Sequence, residues 1–102
     1  MISIILPIRN EFEGIEKTLE SIISQSYSED VEILVVDGMS TDNTRDIIIK
    51  YQKDHPNIHL IDNPEKIVST GFNRALNASK GDIIIRVDGR CEIAPDYIQQ
   101  CL

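Results

Sequence analysis

Positive charge is scarce in this chain: ten lysines and arginines face seventeen aspartates and glutamates, for a formal charge of -7 and a pI near 4.6. No basic run stands ready to neutralise a phosphate backbone, so nucleic acid is set aside as a partner. An anionic small molecule meets the same field, and binding one calls for a metal ion or a few locally placed arginines. Cysteine is almost as rare. Cys91 and Cys101 have neither a second pair nor histidines at ligand spacing, which argues against a disulfide framework or a zinc site. Long apolar runs are absent too. The stretch from Met1 to Ile8 breaks at Pro7, so it is neither a secretory h-region nor a spanning helix. The setting expected from these absences is cytoplasmic, with the inner face of a membrane left open for a longer form.

Glycine is missing where two common α/β ligand sites need it. The first β-α turn, Arg9-Asn10-Glu11-Phe12-Glu13-Gly14, lacks the glycine spacing of a pyrophosphate loop. No lysine follows a later strand as phosphoacceptor chemistry requires. A dinucleotide-binding or phospho-receiver domain is therefore disfavoured. Repeats, linkers and low-complexity segments are also lacking. With 102 residues and 41% apolar content, the chain is long enough for one modest core and for no more.

What the chain does contain is an alternation of apolar runs with stretches of helical period. Strands are expected at Ile2 to Ile8, Val31 to Val36, Ile58 to Ile61 and Asp82 to Val87. Between them, Glu13 to Gln25 carries an apolar stripe of Ile15, Leu19, Ile22 and Ile23. The next helix is capped by Thr41 or Asp42, buries Ile47, Ile48 and Tyr51, and stops at His55-Pro56-Asn57. A third helix from Val68 to Ser79 places Val68, Phe72, Ala75 and Leu76 on one side. After Asp88, Ala94-Pro95-Asp96 offers a further helix start. This β-α-β-α order predicts an α/β fold, a mostly parallel sheet with helices on both faces and right-handed crossovers.

The second strand is β-branched without polar alternation, the pattern of a strand buried on both faces, and it ends at Asp37. In open α/β sheets ligands bind outside the carboxyl ends of the strands. Asn10, Asp37 and Asp88 all occupy such ends. A uracil ring presents one N–H between two carbonyls, so a carboxylate at Asp37 would accept that proton while N–H groups of the Pro7 to Asn10 turn meet a carbonyl. The competing reading makes Asp37 a turn residue bonded to its own loop. Asp42 has two readings as well, a helix cap or a nucleotide contact. Glu11 either touches a nucleoside or complements the first helix.

Four ordered blocks then match a family. Pro7-Ile8-Arg9-Asn10-Glu11, Val36-Asp37-Gly38-Met39-Ser40-Thr41-Asp42, Gly71-Phe72-Asn73-Arg74-Ala75-Leu76-Asn77, and Gly81-Asp82 leading to Asp88 together resemble the family 2 glycosyltransferases. The Asp-Gly-Met-Ser-Thr-Asp and Arg-Val-Asp-Gly-Arg forms look most like bacterial succinoglycan and exopolysaccharide enzymes. The resemblance implies the Rossmann-like N-terminal half of a GT-A fold. Residues 1–102 would then form a single nucleotide-sugar-binding domain, ending before the acceptor-binding half. It also implies inverting transfer of a sugar from a nucleotide-sugar donor to a saccharide or lipid-linked acceptor, with the catalytic base outside this segment. Pro7, Arg9, Asn10, Glu11, Asp37 and Asp88 take the nucleotide-binding roles, Asp88 that of metal ligand, with Mg²⁺ or Mn²⁺ as cofactor. The second acid of the family's Asp-x-Asp motif is here Arg90, which has no lone pair to give a cation. Two arrangements stay open. Asp88 holds the ion with water, phosphate and Glu92, or Arg90 clamps the diphosphate itself.

Arg74 is a second candidate for the diphosphate, and Arg9 another cation near the loops. Arg86 interrupts an apolar strand and is expected to be buried and paired with Glu32 or Asp37. A non-catalytic nucleotide-binding or assembly module is the alternative function, and self-association through an uncovered sheet edge is expected of a segment this short.

Overall fold

A computed structural model of the chain describes residues 2–24, 31–65, 68–81 and 83–87. Its elements run β1 (Ile2–Ile8), α1 (Ile15–Ile23), β2 (Val31–Asp37), α2 (Thr44–Asp54), β3 (Ile58–Asp62), α3 (Val68–Ala78) and β4 (Ile83–Arg86). The four strands form one sheet in the order β3-β2-β1-β4, with every pairing parallel. The chain steps outward from β1 to β3 and then returns to the other side of β1, so strand order reverses between β1 and β4. The carboxyl ends around such a reversal are where open sheets hold ligands.

Side chains alternate across the sheet, and each face has its own helices. Ile2, Ile4, Leu6, Ile8, Ile33 and Val35 pack with Ile15, Leu19 and Ile22 of α1 and Ile48 of α2. Ile5, Leu34 and Val36 face the other way, onto Ala75 and Phe72 of α3. Ile4, Ile5 and Leu6 are wholly buried, as a central strand covered on both faces must be. Leu76, expected in the buried face of α3, is exposed, and the side chain of Val68 lies outside the described residues. Pro7 sits in this central strand without disturbing it. The ladder to β4 runs only from Ile2↔Ile83 to Ile5↔Arg86, so it ends before the residue that has no N–H to give.

Two close fits fix the helix on the second face. A methyl group built on Gly71 would lie 2.8 Å from Asn63 Nδ2 and 3.0 Å from a Val36 methyl, so only glycine lets α3 approach there. At the amino end of the sheet, Glu32 accepts the Ser3 hydroxyl at 2.5 Å and the Lys80 N–H at 2.6 Å, while Gly81 N–H reaches Ser3 Oγ at 2.9 Å. These bonds tie the turn between α3 and β4 to the first two strands.

Arg86 departs from expectation. It is exposed, and its guanidinium lies over the Phe72 ring, 5.7 Å from the centroid. Glu32 and Asp37, its anticipated partners, are engaged elsewhere. Because β4 is an outer strand among the described residues, its side of the sheet leaves room for a long cation to reach water.

Candidate functional site

The carboxyl ends of β1 and β2 carry two loops that are bonded to each other. Gly38 N–H donates to the Ile8 carbonyl at 2.9 Å, continuing the ladder past the strand ends. Beyond it, Asn10 N–H donates to Ser40 Oγ at 2.9 Å, and Asn10 Oδ1 accepts the Thr41 N–H at 2.8 Å. Both loops need a left-handed residue: φ is 52° at Asn10 and 60° at Met39. Asparagine tolerates that conformation; methionine does not do so readily, and such backbone is kept only where its surroundings hold it.

Asp37 anchors this pair of loops from behind. Its side chain is 0% exposed. Ser40 donates its hydroxyl to Oδ1 at 2.5 Å and its N–H to both carboxylate oxygens at 3.2 and 3.3 Å. Arg45 Nη1 donates to Oδ2 at 2.7 Å and to Asp62 Oδ1 at 2.7 Å. The turn-residue reading is thus the one displayed: the strand-end position is as expected, but the carboxylate is closed to a ligand in this structure. Its main-chain carbonyl is also engaged, by Asn63 N–H at 2.8 Å.

Asp42 displays the capping role and something more. Its Oδ1 accepts the N–H of Thr44 at 3.0 Å and the Thr44 hydroxyl, one position ahead of the formal cap Asn43. Its Oδ2 accepts the Phe12 N–H at 3.4 Å, a third tie between the loops. The Thr44 hydroxyl, with these N–H groups, holds the Asp42 carboxyl below its ordinary value. Asn10, Glu11, Phe12, Glu13 and Asp42 line an open hollow of about 510 Å³ beside the stitched loops. Glu11 also caps α1 through its main chain, its carbonyl accepting from Gly14 and Ile15 at 3.0 and 2.8 Å.

The other expected residues divide. Pro7 is half-buried at the end of β1 and Arg9 is exposed, its side chain running alongside Gly38. Arg74 lies on α3 in an exposed pair with Glu65 at 2.9 Å. Asp88, Arg90, Glu92 and both cysteines fall outside the described residues. Val87, just before Asp88, donates its N–H to the Ile5 carbonyl at 3.0 Å, so the described chain ends alongside β1 at the strand-order reversal. Among the described residues no three histidine, cysteine, aspartate or glutamate side chains gather to hold a metal ion. Arg45, Ser40 and Asp62 were not anticipated. One signal was available for Arg45: a cation in the first turn of a helix opposes the macrodipole and so needs a local acid to explain it.

Comparison with known proteins places the chain in a family. The profile described as Glycosyl transferase family 2 matches residues 3–102. This chain belongs to that family. Over 101 residues it is 41% identical to the Methanococcus voltae dolichyl N-acetyl-alpha-D-glucosaminyl phosphate 3-beta-D-2,3-diacetamido-2,3-dideoxy-beta-D-glucuronosyltransferase, covering 96% of this chain and 32% of that protein. It is 30% identical to the succinoglycan biosynthesis protein ExoA of Rhizobium meliloti, covering 95% of this chain and 30% of that protein. The family 2 chain therefore spans about a third of the length of these curated relatives.

Two solved structures share its fold. Residues 1-349 of S. aureus TarS, in complex with UDP-GlcNAc, superpose with a TM-score of 0.85 at 27% identity, over 98% of this chain and 29% of that one. The mannosyltransferase PcManGT of Pyrobaculum calidifontis, in complex with GDP-Man and Mn2+, gives 0.87 at 30% identity, over 95% and 30%. The sheet and helices of this family 2 chain are the N-terminal half of a GT-A fold.

Proposed function

We propose that residues 1–102 act as one nucleotide-sugar-binding unit, the donor half of an inverting glycosyltransferase. The donor is a UDP-sugar. The acceptor is a polysaccharide or lipid-linked glycan of exopolysaccharide or cell-surface synthesis, made on the cytoplasmic side of a membrane. The observation that carries this reading is the stitched pair of loops at the carboxyl ends of β1 and β2, standing beside an open hollow in a chain of this family. The UDP-GlcNAc complex of TarS and the acceptor named for the Methanococcus relative support the choice of donor and acceptor class.

Each residue then has a task. Pro7, Arg9, Asn10 and Glu11 wrap the nucleoside. Uracil needs donors for two carbonyls and an acceptor for one N–H, and the polar groups of this rim supply both kinds. Asp37 holds the rim in shape from behind. Arg74 is freed for the diphosphate at little cost, because an exposed ion pair such as that with Glu65 is worth only about 0–1 kcal/mol. Arg90 is the other diphosphate candidate. Asp88 is the proposed ligand of Mg²⁺ or Mn²⁺, since such an ion suits a site of one or two carboxylates plus substrate phosphates. Such an ion, when bound, neutralises charge developing on the departing diphosphate. The base that deprotonates the acceptor hydroxyl comes from outside this segment.

Calorimetric titration of the chain with UDP, GDP and UDP-GlcNAc, with and without Mn²⁺, tests the proposal. UDP is expected to bind in preference to GDP, and more tightly with the metal. Failure of every nucleotide to bind in the presence of Mn²⁺ overturns it.

A further inference from the structure

Arg45 combines three features that a surface arginine does not need. It stands in the first turn of α2, where the helix dipole disfavours a cation. One of its nitrogens donates to two acids at once, Asp37 and Asp62, each at 2.7 Å. Those acids lie directly opposite each other in the β2–β3 register, a placement that is repulsive for like charges unless a cation sits between them.

From Asp37 the bonds continue to the rim. Arg45 holds Oδ2 and Ser40 donates to Oδ1. The same Ser40 oxygen accepts the Asn10 N–H, and Asn10 in turn accepts the Thr41 N–H. Both left-handed residues, Asn10 and Met39, lie within this short circuit. A buried carboxylate deprived of its cation must recruit water or give up its charge, and either change loosens the charge-assisted bond that Oδ1 accepts from Ser40. We infer that Arg45 is a positioning residue for nucleoside recognition, which, without touching the ligand, fixes Asp37 and thereby presets the Ser40–Asn10–Thr41 stitch. The inference rests on the donor-binding reading and adds to it a residue and a direction of action: the nucleoside end of the donor depends on Arg45, and the diphosphate end does not.

Three variants of the 102-residue chain, Arg45→Met, Arg45→Lys and Ser40→Ala, separate the possibilities. Amide hydrogen exchange is read at Asn10, Ser40 and Thr41, and affinity is read for UDP and for inorganic pyrophosphate, each with Mn²⁺. Arg45→Met is expected to speed exchange at these amides and to weaken UDP about tenfold, the lower end of what losing an outer partner causes at metal sites, with pyrophosphate unaffected. Arg45→Lys restores most of both, since one ammonium nitrogen can bridge both acids. Ser40→Ala, which leaves the ion pairs intact, gives the same signature and serves if Arg45→Met does not fold. Unchanged exchange at all three amides in Arg45→Met, or in Ser40→Ala, overturns the inference. So does a parallel loss of UDP and pyrophosphate affinity. A wild-type chain that binds no UDP defeats the donor-binding reading instead, and the exchange data still decide whether Arg45 sets the stitch.

Discussion

Glu32 and Asp37 are buried carboxylates on the same strand, one at each end of β2, and they are satisfied in different ways. Glu32, at the amino end, takes a hydroxyl and a main-chain N–H. Asp37, at the carboxyl end, takes a guanidinium and a serine that is itself tied to an exposed loop. Their odd and even positions send them to opposite faces: Glu32 toward the turn that follows α3, Asp37 toward α2. The first arrangement closes a connection and leads nowhere else. The second transmits the position of a buried charge to the rim of an open hollow. A buried acid is thus informative about function only through what its partners touch.

Substitutions should separate the two ends. Asp37→Ala has the largest expected effect, a loss of about 3 kcal/mol in urea unfolding, the low end for breaking a buried pair, together with loss of measurable UDP binding. Wild-type UDP affinity in that variant would erase the distinction between the ends. Gly71→Ala comes next. The added methyl pushes α3 away from Asn63 and Val36, costing on the order of 2 kcal/mol of overpacking, visible as a drop in thermal midpoint.

Glu32→Gln sharpens the contrast, because the amide keeps an acceptor for Ser3 and Lys80. It should cost about 1 kcal/mol and leave UDP affinity unchanged. It also changes the pH response. Burial pushes the Glu32 carboxyl up, but the Lys80 N–H and Ser3 hydroxyl outweigh it and hold the group below its ordinary 4.5. The stability this contributes is fully present above that pH and is lost as pH falls through the lowered folded value. Acid unfolding of Glu32→Gln should therefore be less steep than wild type below about 4.5; identical acid limbs would show that the pairing contributes nothing. Asp42→Asn has the smallest effect. Its carboxyl is also held low, so its contribution follows the same sign and is lost as pH falls below its ordinary 3.8, and the variant should loosen the start of α2 without unfolding the chain.

Much of this was legible before any coordinates. The unbroken apolar run of residues 33–36, three of them β-branched, reads as a covered strand, and the stripe Ile15, Leu19, Ile22 as the face of a helix turned to the core, because period is a local property. The four motif blocks were enough to name the family. Arg86 departs from expectation for a matching reason: its strand is an outer one among the described residues, and strand order is not written in the period of one strand. The same limit hid Arg45. Its meaning lies in two acids brought face to face by pairing β2 with β3, eight and seventeen residues away along the chain.

The sequence by itself determined the alternation of elements, the covered strands, the family, and the placement of Asn10 and Asp37 at strand ends. It did so because hydrophobic period and turn chemistry act over a few residues. Only the tertiary structure decided that Asp37 is sealed and salt-bridged, that Glu32 closes the α3–β4 turn, and that the two loops are sewn together through Ser40. Each of those depends on contacts between distant stretches, Arg45 between Asp37 and Asp62, Asn10 on Ser40 and Lys80 on Glu32, and these are set by strand order and register, which no local stretch of chain encodes.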